Sequence, residues 1–380
     1  MRAAHSLSPH AFSTLRRLTA LTAVMTLTLT MVSCSIGESN GDPVISSLTA
    51  QKADATVPRN SKSDMDNEPL SSAVGTVSMI TSDENGKKGA VSGDLTTTVV
   101  SRERSTDKFQ WAVSIKPAVA NQERTEYADN AQSAMSENMD LSSTGSAVVS
   151  PDGRYLSLIL LPAEQQSGET ATDLRTHIVV LDTTTGKTVR NATVSGVILG
   201  QALTNSTLAV ETAQNYFPAG SGKGTITTFS LTDTSAQPSS FSTDKWLVGA
   251  TRENLMLAPE PLSDDCSYGC SMMTVTLINA DGSTAGSISG VIAVHPGGWI
   301  HRVADPKSDE QQLVNPSIKK TIDITGKNTF ERGVPTGPGL LVEQKSPDGK
   351  GSTESKPVFW LSSSDDGHPH TENLEQFENH

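Results

Sequence analysis

Three cysteines are the residues whose types and spacing most directly suggest chemistry. Cys34 follows an apolar N-terminal stretch, whereas Cys266 and Cys270 are separated by only three residues. In an exported protein, an even pair at this spacing predicts a disulfide between Cys266 and Cys270. The spacing excludes a C-x-x-C redox motif, and a zinc site would need two more ligands, for which no nearby histidine is available. We therefore predict a structural disulfide and neither a metal nor a cofactor.

Two groups of histidines could act as ligands or as acid–base groups. His368 and His370 flank a proline and follow two aspartates, a combination that suits a transition metal. Because they lie in a polar C-terminal tail, a solvated and disordered end is the preferred interpretation. His295 and His301 lie six residues apart around a Pro-Gly-Gly turn. For this pair, a structural or exposed role is favoured over catalysis.

Glycan hydrolysis would require two carboxylates, or a histidine and a carboxylate, in one pocket. The sequence offers five candidate acids close to predicted strands and turns: Asp152, Asp182, Glu211, Asp281 and Glu343. Sequence alone does not establish that any of them converge. Neither a metal-binding H-E-x-x-H motif nor a P-loop nor a dinucleotide-binding G-x-G-x-x-G motif is present. An enzyme is therefore the less favoured interpretation, and no catalytic residue is predicted.

Composition and charge limit the classes of protein to which the chain can belong. Of its 380 residues, 35% are hydrophobic and 4% aromatic, and the formal net charge is −13. This composition excludes a polytopic membrane protein and disfavours a helical bundle. A chain with so large an acidic excess has no basic surface for the phosphate backbone, so nucleic acid is not predicted as a partner.

The N-terminal residues are typical of an export signal. A basic start is followed by an uncharged stretch of 15 residues, Leu18 to Val32. This stretch is shorter than the roughly 20 residues that span a bilayer as a helix. A basic start, a short apolar run and a small residue before a break together predict a secretory signal peptide over residues 1–33.

The break itself reads Met31-Val32-Ser33-Cys34 and resembles the lipobox of bacterial lipoproteins. The resemblance implies that the chain is cleaved before Cys34, that this cysteine is linked to diacylglycerol, and that its amino group is acylated, for example by palmitate. The protein would then be lipid-anchored on the extracytoplasmic face of the bacterial cell membrane. An ordinary signal peptide and a twin-arginine signal remain the alternatives.

The segments that follow the signal differ in composition. Residues 34–73 contain no aromatic residue and are rich in Ser, Asn, Asp, Lys and Pro, which predicts a flexible tether. Residues 74–362 contain recurrent β-rich runs and form the predicted folded domain. Within it, residues 117–140 are rich in Ala, Asn and Glu and are interpreted as an insertion loop. The polar residues 363–380 are predicted to be a disordered tail.

A repeat within the folded domain is the main structural prediction. Each unit contains a first strand, a turn, an inner strand, a longer strand and an outer strand. The inner strands start at intervals of 52, 48, 44 and 41 residues, near Tyr155, Thr207, Leu255, Trp299 and Leu340. Four-stranded propeller blades recur at about 40–45 residues. The spacing therefore predicts an all-β chain folded as a β-propeller.

Two motifs support this architecture. The segment Ser150–Tyr155 forms a turn followed by a strand, and Val179–Val189 contains a Thr-Thr-Gly hairpin. Both are similar to the repeats of bacterial WD40-like and YVTN-like propellers. The resemblance covers about residues 145–300 and implies the propeller architecture, although the Gly-His and Trp-Asp dipeptides of true WD40 repeats are absent.

Ring closure determines the predicted number of blades. The last unit ends at its third strand, Val358–Ser362, and the first unit is expected to begin at Gly89–Ser92. The earlier run Val74–Thr81 would then complete the last blade and join the two ends of the ring, which removes exposed strand edges. This predicts six four-stranded blades, with seven as the alternative. A pair of β-sandwich domains is the second choice of fold.

A lipid-anchored propeller with no recognisable catalytic motif suggests a binding module. Its loops, held by a rigid scaffold, would bind a protein, a peptide or a cell-envelope glycan. Two alternatives remain open: a cell-envelope glycan hydrolase or lyase, and an assembly factor for other envelope proteins.

Overall fold

The computed structural model describes residues 42–59, 69–82, 95–116, 147–160, 175–195, 197–213, 224–260, 272–308, 310–345 and 355–377. Within these ranges the secondary structure consists of 23 β-strands, one short α-helix, α1 (Ala50–Thr56), and two 3-10 turns. None of the described helices is both long enough and apolar enough to cross a membrane.

The strands form antiparallel sheets in which, with one exception, neighbours in the chain are neighbours in the sheet. We call the sheets blades. Blade 1 comprises β1 (Val44–Ser47), β2 (Leu70–Ser71), β3 (Thr76–Ser82), β4 (Thr96–Arg102) and β5 (Phe109–Lys116). Blade 2 comprises β6 (Ala147–Val149), β7 (Tyr155–Ile159), β8 (Arg175–Asp182) and β9 (Thr188–Ser195). Blade 3 comprises β10 (Val197–Leu203), β11 (Thr207–Ala213), β12 (Gly224–Ser230) and β13 (Ser239–Thr243). The exception is β1, which pairs with β5 at the outer edge of blade 1.

Blades 4 and 5 share one long strand and together form a seven-stranded sheet. Its strands are β14 (Trp246–Ala250), β15 (Leu255–Ala258), β16 (Met273–Ile278), β17 (Thr284–His295), β18 (Trp299–Asp305), β19 (Glu310–Asn315) and β20 (Lys320–Asp323). Blade 6 comprises β21 (Lys327–Val334), β22 (Gly337–Lys345) and β23 (Ser355–Ser362).

A glycine allows β17 to serve both blades. Up to Val291 the strand pairs with β16, and from Val291 onwards it pairs with β18. Gly290 lies at this change with φ of 73°, a conformation that favours glycine. A Cβ atom there would lie 2.2 Å from the Val303 carbonyl oxygen. The first half of β17 therefore closes blade 4, and the second half opens blade 5.

The alternation of side chains explains why the central strands are apolar on both faces. Four consecutive residues of β8, from Ile178 to Leu181, are fully buried. Val179 and Leu181 pack against blade 1, whereas Ile178 and Val180 pack against blade 3. Blade 2 therefore has a neighbouring blade on both faces, which is why β8 reads as a continuous apolar run. Apolar clusters join blades 3 and 4 and blades 5 and 6 in the same way.

Contacts between blade 6 and blade 1 close the series into a ring. Arg104, in the turn after β4, donates hydrogen bonds from Nη2 to the carbonyl oxygens of Ser72 and Gly75, both at 3.1 Å. Its Nη1 donates to the carbonyl oxygen of Val334 in blade 6. One side chain thus connects the first and the last blade, and burial lowers its pKa.

The first hairpins of the blades meet one another at the centre of the ring. The Ala73 amide donates to the Gly153 carbonyl, and the Asn205 amide donates to the Arg252 carbonyl, at 2.9 and 3.0 Å. The Asp152 amide donates to Oδ1 of Asn205 at 3.1 Å. These bonds connect the turns of blades 1 to 4 in order. The innermost strand is therefore β2 in blade 1 and the first strand of each of blades 2 to 4.

The predicted fold class is confirmed. The described part of the chain is mostly β, and six blades of about four antiparallel strands each follow one another around a ring. The strands predicted to start near Tyr155, Thr207, Leu255 and Trp299 start at those residues, and the one predicted near Leu340 starts at Gly337. They are the second strands of their blades, in agreement with the predicted order of a first strand followed by an inner strand.

The predicted mode of ring closure was wrong. The run Val74–Thr81 does not complete blade 6. It corresponds to β3, which pairs along its whole length with β4 in blade 1. Because β3 and β4 are connected directly in the chain, this local pairing requires no long-range strand exchange. The ring is closed instead by side-chain and backbone contacts between blades 1 and 6.

The structure differs from the tether predicted over residues 34–73. Strand β1 pairs with β5, and α1 packs Ala53 and Val57 against blade 1. Arg102 is buried and donates both to Asp54 Oδ1 at 2.9 Å and to the Val57 carbonyl at 2.7 Å. These contacts supply the anchoring that the polar composition did not reveal.

The predicted disordered tail is also partly folded. Residues 363–377 run back along blade 6 and include a short 3-10 turn, Leu374–Phe377. Leu374 and Phe377 pack against Val334, Leu341 and Trp360. Residues 1–33 and the predicted insertion loop at 117–140 lie outside the described residues.

Candidate functional site

The cysteines that the sequence singled out are not among the described residues. Cys34 and the pair Cys266 and Cys270 lie in the ranges 1–41 and 261–271, outside the described part of the chain. Lipid attachment and the disulfide therefore stay predictions.

Three of the five candidate acids have local roles in turns. Asp182 Oδ1 accepts hydrogen bonds from the amides of Thr184 and Thr185, both at 3.0 Å. Asp281 binds the amide of Ser283 in the same manner, which lowers the Asp281 pKa through the Ser283 hydroxyl and amide. Asp152 accepts from the Ser150 hydroxyl at 2.6 Å. Such side-chain turns are the ordinary use of aspartate between strands.

The two glutamates are separate from these turns and from each other. Glu343, on β22, accepts a hydrogen bond from the Ser355 hydroxyl within blade 6. Glu211, on β11, is buried between blades 3 and 4, where its Oε2 accepts from the Leu247 amide at 2.8 Å. Burial raises the Glu211 pKa to about 7, against the smaller opposing effect of the Leu247 hydrogen bond. Asp152 and Asp182 share blade 2, and the other three acids lie in blades 3, 4 and 6, so the five do not converge in one pocket.

A histidine and a carboxylate do meet where blade 5 contacts blade 6. His295, at the end of β17, places Nδ1 3.2 Å from Oε1 of Glu331 on β21. Its Nε2 lies 3.4 Å from the Thr329 hydroxyl on the same strand. The His295 side chain is 11% exposed, whereas that of Glu331 is 56% exposed. The Thr329 hydroxyl, the His295 imidazole and the Glu331 carboxylate are therefore adjacent in space in that order, on the innermost strands of blades 5 and 6.

His301 completes this group, which we call the inner-strand cluster: His295, His301, Thr329 and Glu331. The two imidazole rings lie 6.1 Å apart. His301 Nε2 lies 3.0 Å from Gln311 Oε1, so this nitrogen carries a proton and donates. The His301 pKa is lowered to about 4, chiefly by burial; the hydrogen bond with Gln311 raises it, and the nearby His295 lowers it. His301 is therefore neutral above that pH.

The chemistry available to the cluster follows from its donors and acceptors. With Nδ1–H donating to the Glu331 carboxylate, Nε2 of a neutral His295 can accept the Thr329 hydroxyl proton. The same order of groups activates a hydroxyl in covalent catalysis, although distances in enzymes without substrate are often long. Equally, the cluster offers a carboxylate and an imidazole for hydrogen bonds to a ligand.

An exposed aromatic residue, Phe330, lies between Thr329 and Glu331 on β21, with its side chain on the opposite face of the strand. Phe330 is 39% exposed, and among the described residues it is the sole large aromatic side chain with this degree of exposure. It is followed on β21 by Glu331 and Arg332, both exposed. An apolar ring flanked by charged groups is characteristic of recognition surfaces.

Sequence analysis had identified only part of this site. The spacing of His295 and His301 drew attention to them, but Thr329, Phe330 and Glu331 were missed. The sequence feature that could have identified Thr329 and Glu331 is their spacing of two residues, which places both side chains on one face of a strand. That spacing becomes meaningful only once β21 is known to lie beside β17.

The other predicted histidines are in a folded segment. His370 stacks on Trp360 with ring centroids 3.9 Å apart, and His368 lies edge-on to His370 at 5.6 Å. Both nitrogens of His370 are engaged by carboxylates, at 2.7 Å from Asp365 and 2.8 Å from Glu372. Within the described residues, no group of three or more His, Cys, Asp or Glu side chains is arranged to hold a metal ion.

Within the described ranges of the chain, the strand order and the ring of contacts define a β-propeller of six blades. No protein-family model and no curated protein sequence matches the chain. Three solved structures are similar to it over part of their length. TolB from Acinetobacter baumannii is 10% identical with a TM-score of 0.33, and the match covers 78% of this chain and 65% of TolB.

The second structure is the β-propeller domain of the Trilobed protease from Pyrococcus furiosus. It is 13% identical with a TM-score of 0.37, over 77% of this chain and 82% of that domain. The third, a europium-containing methanol dehydrogenase, is 12% identical with a TM-score of 0.28, over 78% of this chain and 53% of the dehydrogenase. These are distant similarities to β-propeller proteins. At such TM-scores, the fold assignment depends on the strand pairing described above.

Proposed function

We propose that this protein is a lipid-anchored propeller on the extracytoplasmic face of the bacterial cell membrane that binds a protein, a peptide or a cell-envelope glycan. The export signal and the lipobox-like sequence before Cys34 support the location. The binding role is supported chiefly by one observation, the exposed aromatic ring of Phe330 on β21.

An exposed aromatic ring in this setting favours recognition for energetic reasons. A half-exposed phenylalanine gains from burial against a ligand, and its rigid side chain loses little conformational entropy. The exposed guanidinium of Arg332, two residues further along the same face of β21, can orient a polar ligand through hydrogen bonds. Since both residues lie on one paired strand, these groups are already arranged before a ligand arrives, which lowers the cost of binding.

We expect the Phe330→Ser variant to lose at least about tenfold in affinity for its ligand, because a central aromatic contributes heavily to such interfaces. The full chain with Cys34→Ser would serve as bait in cross-linking to living cells and in binding to purified cell-wall glycan. The matched control is Val44→Ser, because Val44 is an exposed apolar residue, 61% accessible, on the outermost strand of blade 1.

The cross-linking experiment and the glycan-binding experiment distinguish the possible ligands. A saturable protein partner captured by the parent and the Val44→Ser variant, but not by Phe330→Ser, supports protein recognition. Saturable glycan binding with the same pattern supports glycan recognition. Equal capture by all three forms would contradict a binding site at Phe330.

The hydroxyl–imidazole–carboxylate order of Thr329, His295 and Glu331 favours a second candidate, a cell-envelope hydrolase. In that case, the full chain would release soluble fragments from cell-wall material. The His295→Gln variant would lose this activity while retaining ligand binding. Retained binding without turnover in the parent protein would favour the binding module. Assembly of other envelope proteins remains a third role, which the captured partner would identify.

A further inference from the structure

Residues 363–377, which we call the clasp, cover the outer strand of blade 6. Trp360 and His370 exchange two backbone hydrogen bonds, both at 2.9 Å. The Trp360 indole nitrogen donates to the Glu372 carbonyl at 3.0 Å. Leu374 and Phe377 pack on the same tryptophan. Since blade 6 has only three strands of its own, the clasp takes the position of the fourth.

The imidazole of His370 lies at the centre of the clasp. It stacks on Trp360 with an interplanar angle of 11° and is 21% exposed. Oδ2 of Asp365 contacts Nε2, and Oε1 of Glu372 contacts Nδ1. Asp365 also accepts from the Gly367 amide at 2.7 Å, which holds the carboxylate in position.

This arrangement requires a particular protonation state. An ionised carboxylate only accepts hydrogen bonds, and a neutral imidazole has one donor and one acceptor nitrogen. Both contacts can therefore be hydrogen bonds at the same time only when His370 is an imidazolium. Loss of one proton breaks one bond and places a nitrogen lone pair against a carboxylate.

We propose that residues 363–377 form a proton-dependent clasp on blade 6, in which an imidazolium at His370 joins Asp365 to Glu372 and keeps the segment against Trp360. Deprotonation of His370 loosens the clasp and uncovers the outer edge of β23. An uncovered strand edge presents unpaired backbone groups and can accept another strand.

The charged groups around His370 are consistent with this device. Burial lowers the His370 pKa, but hydrogen bonds and charge from Asp365 and Glu372 outweigh it, so the net pKa is raised. The Glu372 pKa is lowered by its own amide and by His370. His368 approaches edge-on. From blade 4, Arg252 donates to the carbonyl oxygens of Ser363 and Asp365 at 2.7 and 2.5 Å and thereby anchors the start of the clasp.

The sign of the pH dependence follows from these shifts. A histidine with a raised pKa in the folded state contributes stability that is fully present below its unfolded pKa, near 6.5. That contribution is lost as the pH rises through the folded value. In strong acid the two carboxylates become protonated, and the clasp weakens again. It is therefore tightest in mildly acidic solution.

The test follows hydrogen exchange of the Trp360 indole N–H by NMR at pH 5.5 and pH 8.5, in the full chain with Cys34→Ser. After correction for intrinsic exchange, we expect the rate in the parent to rise about fivefold on going to pH 8.5, the loss expected for exposed ion pairs. The His370→Gln variant should exchange rapidly at both pH values. His368→Gln is the matched control and should behave as the parent does.

A direct titration of the imidazole keeps the proposal testable if a variant folds poorly. The His370 ring resonance of the parent protein should titrate above pH 6.5, the ordinary value for histidine. Titration at or below that value would overturn the proposal. So would an unchanged indole exchange rate in the parent between the two pH values.

Discussion

The Arg104→Met variant is expected to lower the free energy of unfolding by about 3 kcal/mol. Three carbonyl oxygens, from Ser72, Gly75 and Val334, would lose a charged donor. A hydrogen bond to a charged group contributes about 1.5–3 kcal/mol, and partial access of water to this half-buried position reduces the sum. Methionine retains much of the apolar stem, so the loss reports the hydrogen bonds that join blade 1 to blade 6.

Chemical denaturation in urea measures this effect, and Arg154→Met is the control. Arg154 is 60% exposed and lies 3.7 Å from Asp182 at the surface of blade 2. Exposed ion pairs of this kind contribute at most about 1 kcal/mol. If the two variants were destabilised equally, Arg104 would not have the closing role assigned to it.

The Glu211→Gln variant is expected to be more stable than the parent at pH 8 by up to about 3 kcal/mol. The buried carboxyl has a pKa of about 7 in the folded protein, against an ordinary value of 4.5. Below pH 4.5 it is protonated in both folded and unfolded states and carries no penalty. Between pH 4.5 and 7 only the unfolded state loses the proton, so stability falls as the pH rises.

Unfolding free energies at pH 4, 6 and 8 test this prediction. The amide can still accept from the Leu247 N–H, and any cost of packing its NH₂ group is the same at each pH. The gain of Glu211→Gln over the parent should therefore grow from pH 4 to pH 8. The exposed Glu253 supplies the control variant, Glu253→Gln, for which no such growth is expected. Parallel curves for parent and Glu211→Gln would contradict a desolvated carboxyl.

The regular blades could be predicted from sequence because their signals are local. The Thr-Gly turn at Gly186 and the Asp-Gly turn at Gly282 both have positive φ. The apolar runs between such turns match the strands. The β-rich runs on either side of Gly290 are likewise recognisable from the local sequence. Their continuity as one bent strand depends on space beside the Val303 carbonyl, which sequence does not reveal.

The chain ends were mispredicted because their order depends on contacts with distant residues. Composition predicted disorder on both sides of the ring. In the structure, Asp54 is bound by Arg102, which is 48 positions away in the chain. Similarly, Ser363 and Asp365 are bound by Arg252, more than 100 positions away. A few specific hydrogen bonds thus offset an apolar content too low to order these segments alone.

Only part of the candidate site could be predicted, because it also depends on contacts between residues that are distant in the chain. His295 and His301 are six residues apart, so the sequence could relate them. Thr329 and Glu331 become their neighbours only because blade 6 packs on blade 5. The site therefore depends on the ring arrangement of the blades.

An engineered disulfide across the contact between blades 1 and 6 tests this ring arrangement. A Cβ atom on Gly333 of blade 6 would lie 2.6 Å from the Ser71 hydroxyl of blade 1. The Ser71→Cys, Gly333→Cys variant is made in a full chain whose three native cysteines are replaced by serine. It is oxidised mildly at low protein concentration, and peptides are mapped by mass spectrometry. The control pairs Ser71→Cys with Gly286→Cys, where nothing lies within 4 Å of the added Cβ.

We expect the Ser71→Cys, Gly333→Cys chain to form an intramolecular disulfide in nearly all molecules, and the control pair to remain reduced. That result would place the first and last blades in contact, as a closed six-bladed ring requires. Free thiols at both positions, or disulfides found only between chains, would contradict the ring.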